Sequence, residues 1–325
     1  MLRVLKKLLG GSRTVTNPEP DIFSLLTRRA WTKPAATRPP IAVAAATQVG
    51  RNLTEAPVPI WSLDDKEMRI DVAPLFERDP YPIPAESDRE TYCTNDDAGF
   101  WLLGLRDYLK VKTAMERHGR PQAGQTPARF FDFGCASGRL LRHVVCQEEG
   151  VEVWGCDILQ NNVDWVLKHL PPTIKIFRNT IYPSLPIPDA TFDVITAFSV
   201  FTHIDMFEDL WLLELRRVLR PGGIAVITVH SERTWLRVRT HKTVLGDMLK
   251  CTAESGDFEV TPQLFEHPMP LDRLVLSWPG DNTYRRNTYH SMKYIEEQWG
   301  RWFTVCKIYD GGVDGFQDIV VLRRD

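Results

Sequence analysis

Arg129-Phe-Phe-Asp-Phe-Gly-Cys-Ala-Ser-Gly-Arg139 packs three structural signals into eleven residues. Phe130, Phe131 and Phe133 predict a short buried strand, Gly134 a sharp turn, and Leu140, Leu141, Val144 and Val145 a helix with apolar residues at i, i+4 spacing. A glycine at such a turn lets the backbone bend and come close to a ligand. The free N–H groups of the helix start behind it favour an anion or a nucleotide. Taken alone, Gly-x-x-x-Gly also describes a plain strand-to-helix turn. The residues downstream, set at regular distances, separate the two readings.

Val151-Glu-Val-Trp-Gly-Cys-Asp157 predicts a second strand, closed by an acid 19 residues beyond Gly138. A helix with Val163, Val166, Leu167 and Leu170 on one side stops at Pro171-Pro172, and strands are predicted at Ile174–Phe177 and Phe192–Ser199. An amphipathic helix over about Met206–Leu219, stopped by Arg220-Pro-Gly-Gly223, leads into a fifth strand, Ile224–Val229. Strand and helix alternate, which predicts a mostly parallel sheet covered on both faces. Residues 231–288 break the alternation, with turn signals at Ser255-Gly-Asp257, His267-Pro-Met-Pro270 and Trp278-Pro-Gly-Asp281. It resumes with a helix at Met292–Trp302 and strands at Phe303–Tyr309 and Asp318–Leu322, close enough in sequence to be antiparallel neighbours.

Upstream, residues 10–90 hold 11 of the 23 prolines and no sustained period, so they read as an extended irregular arm with a short helix near Ile22–Ala30. Asn95-Asp96-Asp97 caps a helix carrying Trp101, Leu102, Leu105, Tyr108 and Leu109, which ends at Gly119-Arg120-Pro121. The first 40 residues carry a charge of +6, which leaves −8 for the rest of a chain whose net charge is −2. An acidic body argues against a nucleic-acid backbone as the main partner. Six cysteines without paired spacing predict free thiols in a reducing, cytoplasmic setting, and no zinc or other metal site. Met1-Leu-Arg-Val-Leu-Lys-Lys-Leu-Leu9 is too short to span a bilayer; a frayed terminal helix and a weak contact of residues 1–13 with the inner face of a membrane both fit it.

In an open α/β sheet, ligands lie beyond the carboxyl ends of the strands. That rule nominates the Gly134–Gly138 turn, Asp157, Asn179-Thr180, Ser199–His203 and His230. A carboxylate such as Asp157 offers two acceptor oxygens to the hydroxyls of a ribose; as a helix cap it would serve structure alone.

With these residues in order, the chain resembles the class I S-adenosylmethionine-dependent methyltransferases. The matching stretches are Phe131-Asp-Phe-Gly-Cys-Ala-Ser-Gly138, Trp154-Gly-Cys-Asp157, Leu185–Val194 and Leu215-Arg-Arg-Val-Leu-Arg-Pro-Gly-Gly223, in that order. The resemblance covers about residues 129–230 and the closing strand pair. It implies a Rossmann-like seven-stranded sheet of order 3-2-1-4-5-7-6 with the last strand antiparallel. It also implies that Asp132 and the backbone of Gly134, Cys135, Ala136 and Gly138 surround the methionine part of the cofactor, while Asp157 holds the ribose. Ala136 stands where the family usually has glycine. Asn179 stands where the usual acid faces the adenine amino group; its amide oxygen can accept the same bond, or the residue merely caps its loop. Ile158, Thr180 and Ser199 complete the candidate cofactor set. The organisation expected is an arm (1–90), a helical lead-in (91–128) and a methyltransferase domain (129–325) with a substrate cap inserted at 231–288.

Phe198–Ile204, Trp211, Tyr289-His290, Tyr294-Ile295 and Trp299 resemble a narrower group associated with bacterial polysaccharide and glycolipid assembly, implying a glycan or small-molecule acceptor. A hydroxyl acceptor needs a base, and His203 and His230 are the candidates. Trp235, Trp278 and Tyr284 would either stack on a ring or form the cap core. Two other classes compete. Tyr289-x-x-x-Lys293 with Ser277 upstream evokes a nicotinamide-dependent short-chain oxidoreductase, against which Leu140 stands where a dinucleotide fingerprint wants glycine. The fold could also be kept as a non-catalytic binding module. Oligomeric state is not legible.

Overall fold

The computed structural model describes residues 57–90, 92–93, 96–120, 128–256, 258–279 and 286–325. The expected helix at 22–30, the basic segment 1–13, Asn95 and Tyr284 lie outside the described residues.

Where the prolines predict an irregular arm, the described residues 57–90 include regular elements. Strands β1 (Val58–Trp61) and β2 (Glu67–Ile70) form an antiparallel ribbon, followed by helix α1 (Ala73–Glu77). Pro59 is tolerated because a two-stranded ribbon has free edges, and Ile60, Leu63 and Val72 are buried in the main core. These elements are too short to show a period in sequence. Helix α2 (Asp97–His118) starts where Asp96 accepts the Gly99 amide at 2.8 Å.

The central sheet comprises β3 (Ala128–Phe133), β4 (Val151–Asp157), β5 (Lys175–Arg178), β6 (Phe192–Ala197) and β7 (Leu219–Ser231), joined by helices α3 (Leu141–Gln147), α4 (Gln160–His169) and α5 (Glu208–Val218). Its order is β5-β4-β3-β6-β7, all parallel. The closing pair, β11 (Thr304–Val313) and β12 (Gln317–Arg323), is antiparallel, and β12 runs antiparallel to β7. This is the order and the inverted last strand that the motifs imply. Every residue of β6 is buried, as expected of a central parallel strand covered on both faces. Phe131 stacks on Phe177 and Phe192 at centroid distances of 6.2 and 4.8 Å, tying three strands together.

Two details differ from the sequence reading. Arg220-Pro-Gly-Gly223 is not a loop beyond α5 but lies within β7, as an irregularity in its pairing with β6; Gly222 has φ +75° and Arg220 is paired with Asp193. In addition, β7 pairs twice. Residues 224–229 pair with β12, and residues 230–231 pair in parallel with β10 (Arg286–His290). Strand β10 carries the antiparallel β9 (Arg273–Ser277), which carries β8 (Thr252–Ala253). With α6 (Glu232–Arg237) and α7 (Lys242–Met248), these strands enclose a second cluster built on Trp235, Phe265, Leu274, Leu276 and Tyr289. Helix α8 (Met292–Gln298) ends in a short 3-10 turn at Trp299–Arg301. No described helix is long and apolar enough to cross a membrane.

Candidate active site

The turn after β3 holds three residues in the left-handed region: Gly134 at φ +78°, Ala136 at +47° and Gly138 at +78°. For alanine this conformation costs roughly 1–2 kcal/mol. The cost is offset by a charge-assisted bond, because the Ala136 amide donates to Asp157 Oδ2 at 2.8 Å. Gly138 is needed for packing as well: a Cβ there would sit 2.6 Å from Leu170 Cδ1.

Helix α3 has only seven residues, and several of the turn's amides are engaged within the protein. Gly134 and Cys135 both donate to the Cys156 carbonyl at 2.9 Å, and Gly138 donates to the Cys135 carbonyl. The turn also offers side chains to a ligand. Ser137 is 2% exposed, and its hydroxyl has no hydrogen-bond partner among the described residues. It lines a cavity together with Asp132, Gly134, Arg89, Tyr92 and Phe100.

Asp132, at the end of β3, accepts one bond, from Thr196 Oγ1 at 2.7 Å. Burial pushes its carboxyl up to about 7, against the lowering effect of Thr196. Asp157, at the end of the adjacent β4, is also raised by burial. Its Oδ1 accepts the Leu159 amide at 2.8 Å and the Asn162 side chain at 3.1 Å. It therefore braces the entry to α4 and closes the turn at once, so the capping role is realised, with the carboxylate kept at the strand end. Asn179 donates its backbone amide to the Asp157 carbonyl at 3.2 Å, while its side-chain oxygen is buried without a partner. Ile158 is half-buried, and its carbonyl accepts from Arg178. The Thr180 hydroxyl is engaged within its own exposed loop. The Cys135 thiol is pushed well up by burial, and is inert as a nucleophile.

Ser199 follows β6 with φ +56°. Its amide donates to Thr228 Oγ1 at 2.7 Å, and its hydroxyl accepts from Tyr92 at 2.6 Å and donates to Gln317 at 3.1 Å. The Arg139 guanidinium lies 4.8 Å over the Tyr92 ring and is ion-paired with Asp107. Nearby, His203 Nδ1 donates to the Arg286 carbonyl at 2.6 Å. Since a carbonyl only accepts, this fixes the neutral imidazole as the tautomer with its lone pair on Nε2.

His230 does not behave as the strand-end rule suggests. Strand β10 extends the sheet beside it, and the ring lies 5.1 Å from Tyr289 and 5.7 Å from Phe316. Burial depresses its pKa to about 3. Trp235 is 0% exposed, 4.3 Å from Phe265, with its N–H on the His267 carbonyl. It is cap core rather than a ligand wall, and Trp278 packs against the same cluster. The oxidoreductase pair is not assembled either. The Tyr289 hydroxyl contacts Met248 sulfur at 3.4 Å, and the Lys293 side chain is 65% exposed beside Asp272.

Sequence reasoning missed Arg89, Tyr92 and Phe100, which reach the crevice from the proline-rich side of the chain. It also missed Asn162, whose only signal is its position in the first turn of the helix that follows Asp157.

Several known proteins are similar to this chain. A family model described as "Methyltransferase domain" matches residues 131–227. Two curated proteins of Rickettsia bellii, both named ubiquinone biosynthesis O-methyltransferase, are 22% identical over 185 residues, covering 53% of this chain and 72% of theirs. Among solved structures, the PH0226 protein of Pyrococcus horikoshii aligns with a TM-score of 0.46 at 15% identity, over 71% of this chain and 93% of that one. The 1,6-didemethyltoxoflavin-N1-methyltransferase of Burkholderia thailandensis, solved with S-adenosylhomocysteine, aligns with a TM-score of 0.43 at 14% identity, over 68% and 78%. The family model begins on β3, spans the strained turn and both strand-end carboxylates, and ends within β7; residues 131–227 are an S-adenosylmethionine-dependent methyltransferase domain.

Proposed function

We propose that this methyltransferase acts on a hydroxyl of a small-molecule acceptor, with Asp132, Ser137, Asp157 and Asn179 holding the cofactor and His203 acting as base. The observation that carries the reading is the pair of buried carboxylates, Asp132 and Asp157, closing adjacent parallel strands on either side of a turn with an unpartnered hydroxyl. Such groups fit the cofactor: Asp132, accepting a single bond, suits a cationic amino-acid moiety, and the buried Asn179 oxygen suits an amino donor. Bound there, S-adenosylmethionine supplies an electrophilic methyl group on a sulfonium centre.

The protein's own task is alignment and proton removal. Good alignment contributes on the order of 7–11 kcal/mol. A hydroxyl attacks only as its proton leaves, and the tautomer of His203 presents Nε2 as the acceptor of that proton. His230, depressed to about 3, is too weak a base for this step and serves the acceptor side through its ring. The relatives named O-methyltransferases support an oxygen acceptor. The burial of Trp235 withdraws one support for a stacked sugar.

The test is incubation with labelled S-adenosylmethionine and a panel of phenols, other hydroxylated small molecules and nucleotide sugars. Labelling of small hydroxylated acceptors is expected; transfer to nucleotide sugars alone overturns the acceptor assignment. His203→Ala should lower kcat about 10²–10³-fold with S-adenosylhomocysteine affinity unchanged. Unchanged kcat removes His203 from the chemistry.

A further inference from the structure

The ribose end of the crevice is short of acceptors. A carboxylate presents about four lone-pair positions, and three of those on Asp157 are already taken by Ala136, Leu159 and Asn162. A ribose diol brings two O–H donors. Asp157 alone, in this arrangement, has room for one.

A second carboxylate stands next to it. The Asn162 side-chain amide, 5% exposed, directs one N–H to Asp157 Oδ1 at 3.1 Å and reaches Glu90 Oε1 at 3.3 Å. One buried amide thus sets the spacing of two acids from distant parts of the chain. Glu90 is held at φ +47°, a left-handed conformation that a non-glycine residue adopts only when its surroundings impose it. Its neighbours on the same stretch, Arg89 and Tyr92, line the cavity that Ser137 and Asp132 also line. The unpartnered, 2% exposed Ser137 hydroxyl is an independent sign that a polar ligand completes this cavity.

We propose that Glu90 is a further cofactor-binding residue, accepting one ribose hydroxyl while Asp157 accepts the other, with Asn162 as the spacer that positions both. The proposal rests on the assignment of Asp132 and Asp157 to the cofactor. It gives a function to a residue of the N-terminal stretch that lies outside the matched domain. It also gives a reason for like charges to be kept together: Asp157 is raised first by burial and further by the Glu90 charge, and a diol donating to both relieves that repulsion.

The experiment is calorimetric titration of S-adenosylhomocysteine and of its 2′-deoxy and 3′-deoxy ribose analogues into the full-length protein and its Glu90→Ala variant. Glu90 is an exposed loop residue, so the variant is expected to fold. The variant should bind S-adenosylhomocysteine about tenfold more weakly, as expected for a lost bond to a charged group. For one of the two deoxy analogues the penalty should vanish, because the hydroxyl that Glu90 holds is already absent. An equal penalty for all three ligands, or none for any, overturns the proposal. Failure of the parental protein to bind S-adenosylhomocysteine would instead sink the cofactor site itself.

Discussion

Two buried carboxylates at the same end of the sheet have opposite fates. Glu208, at the start of α5, accepts from Arg273 Nε at 2.6 Å, His290 Nε2 at 2.9 Å and Trp299 Nε1 at 2.7 Å. Those donors overcome its desolvation and hold it down at about 2. Asp132 accepts from Thr196 alone and is pushed up to about 7. The first is a fastening that joins α5 to β9, β10 and the turn after α8, complete without a ligand. The second is left with acceptor capacity that the protein does not fill. Under-partnered burial, rather than burial itself, marks the place where a ligand is expected.

Variants can break this contrast. The largest effect is expected for Glu208→Gln, which puts an amide N–H against a ring of donors; breaking one side of a buried charged pair costs about 3 kcal/mol. Chemical denaturation should show that loss with S-adenosylhomocysteine affinity intact, and a drop in affinity as large as the drop in stability would erase the distinction. Asp132→Asn should do the reverse, stabilising the fold by about 2 kcal/mol at pH 8 while weakening cofactor binding.

Their pH signatures have opposite signs. The contribution of Glu208 is present above its unfolded value near 4.5 and is lost as pH falls toward 2. That of Asp132 is present below about pH 4 and is lost as pH rises through about 7. A cation bound beside Asp132 favours its ionised form, so affinity for S-adenosylmethionine should rise about fivefold from pH 6 to 7 and level off above about pH 8. A flat profile in the parental protein would separate Asp132 from the ligand. The smallest effect belongs to Ala136→Gly. Glycine adopts φ +47° without strain, so a melt should show stability unchanged or raised by about 0.5 kcal/mol. A clear loss would mean that the methyl group packs against something the strain argument ignores.

Much of the candidate cofactor site is legible in sequence because it is local. Strand, glycine turn and acid come one after another within one βα unit, and each leaves its own chemical trace. Even the departure at Ala136 is visible, although not the bond to Asp157 that makes it tolerable. The residues that roof the crevice are not legible. Arg89, Glu90 and Tyr92 come from a proline-rich stretch without periodicity, and only the tertiary fold brings them over Asp132 and Asn162. His230 is misplaced for a related reason. Its position at the end of a strand nominates it for the cleft, but β10, more than fifty residues later in the chain, continues the sheet beside it. Trp235 likewise reads as a ring wall until Phe265 and Tyr289 are seen to surround it.

The double pairing of β7 also limits how the molecule can move. One continuous thirteen-residue strand belongs to the parallel sheet on one side and to the wall formed by β10, β9 and β8 on the other. Swinging that wall outward would mean tearing main-chain hydrogen bonds at residues 230–231 and the Thr288 amide from the Thr202 carbonyl. A lid made by that layer would therefore have to break main-chain pairing to open, whereas side chains can rearrange without disturbing it.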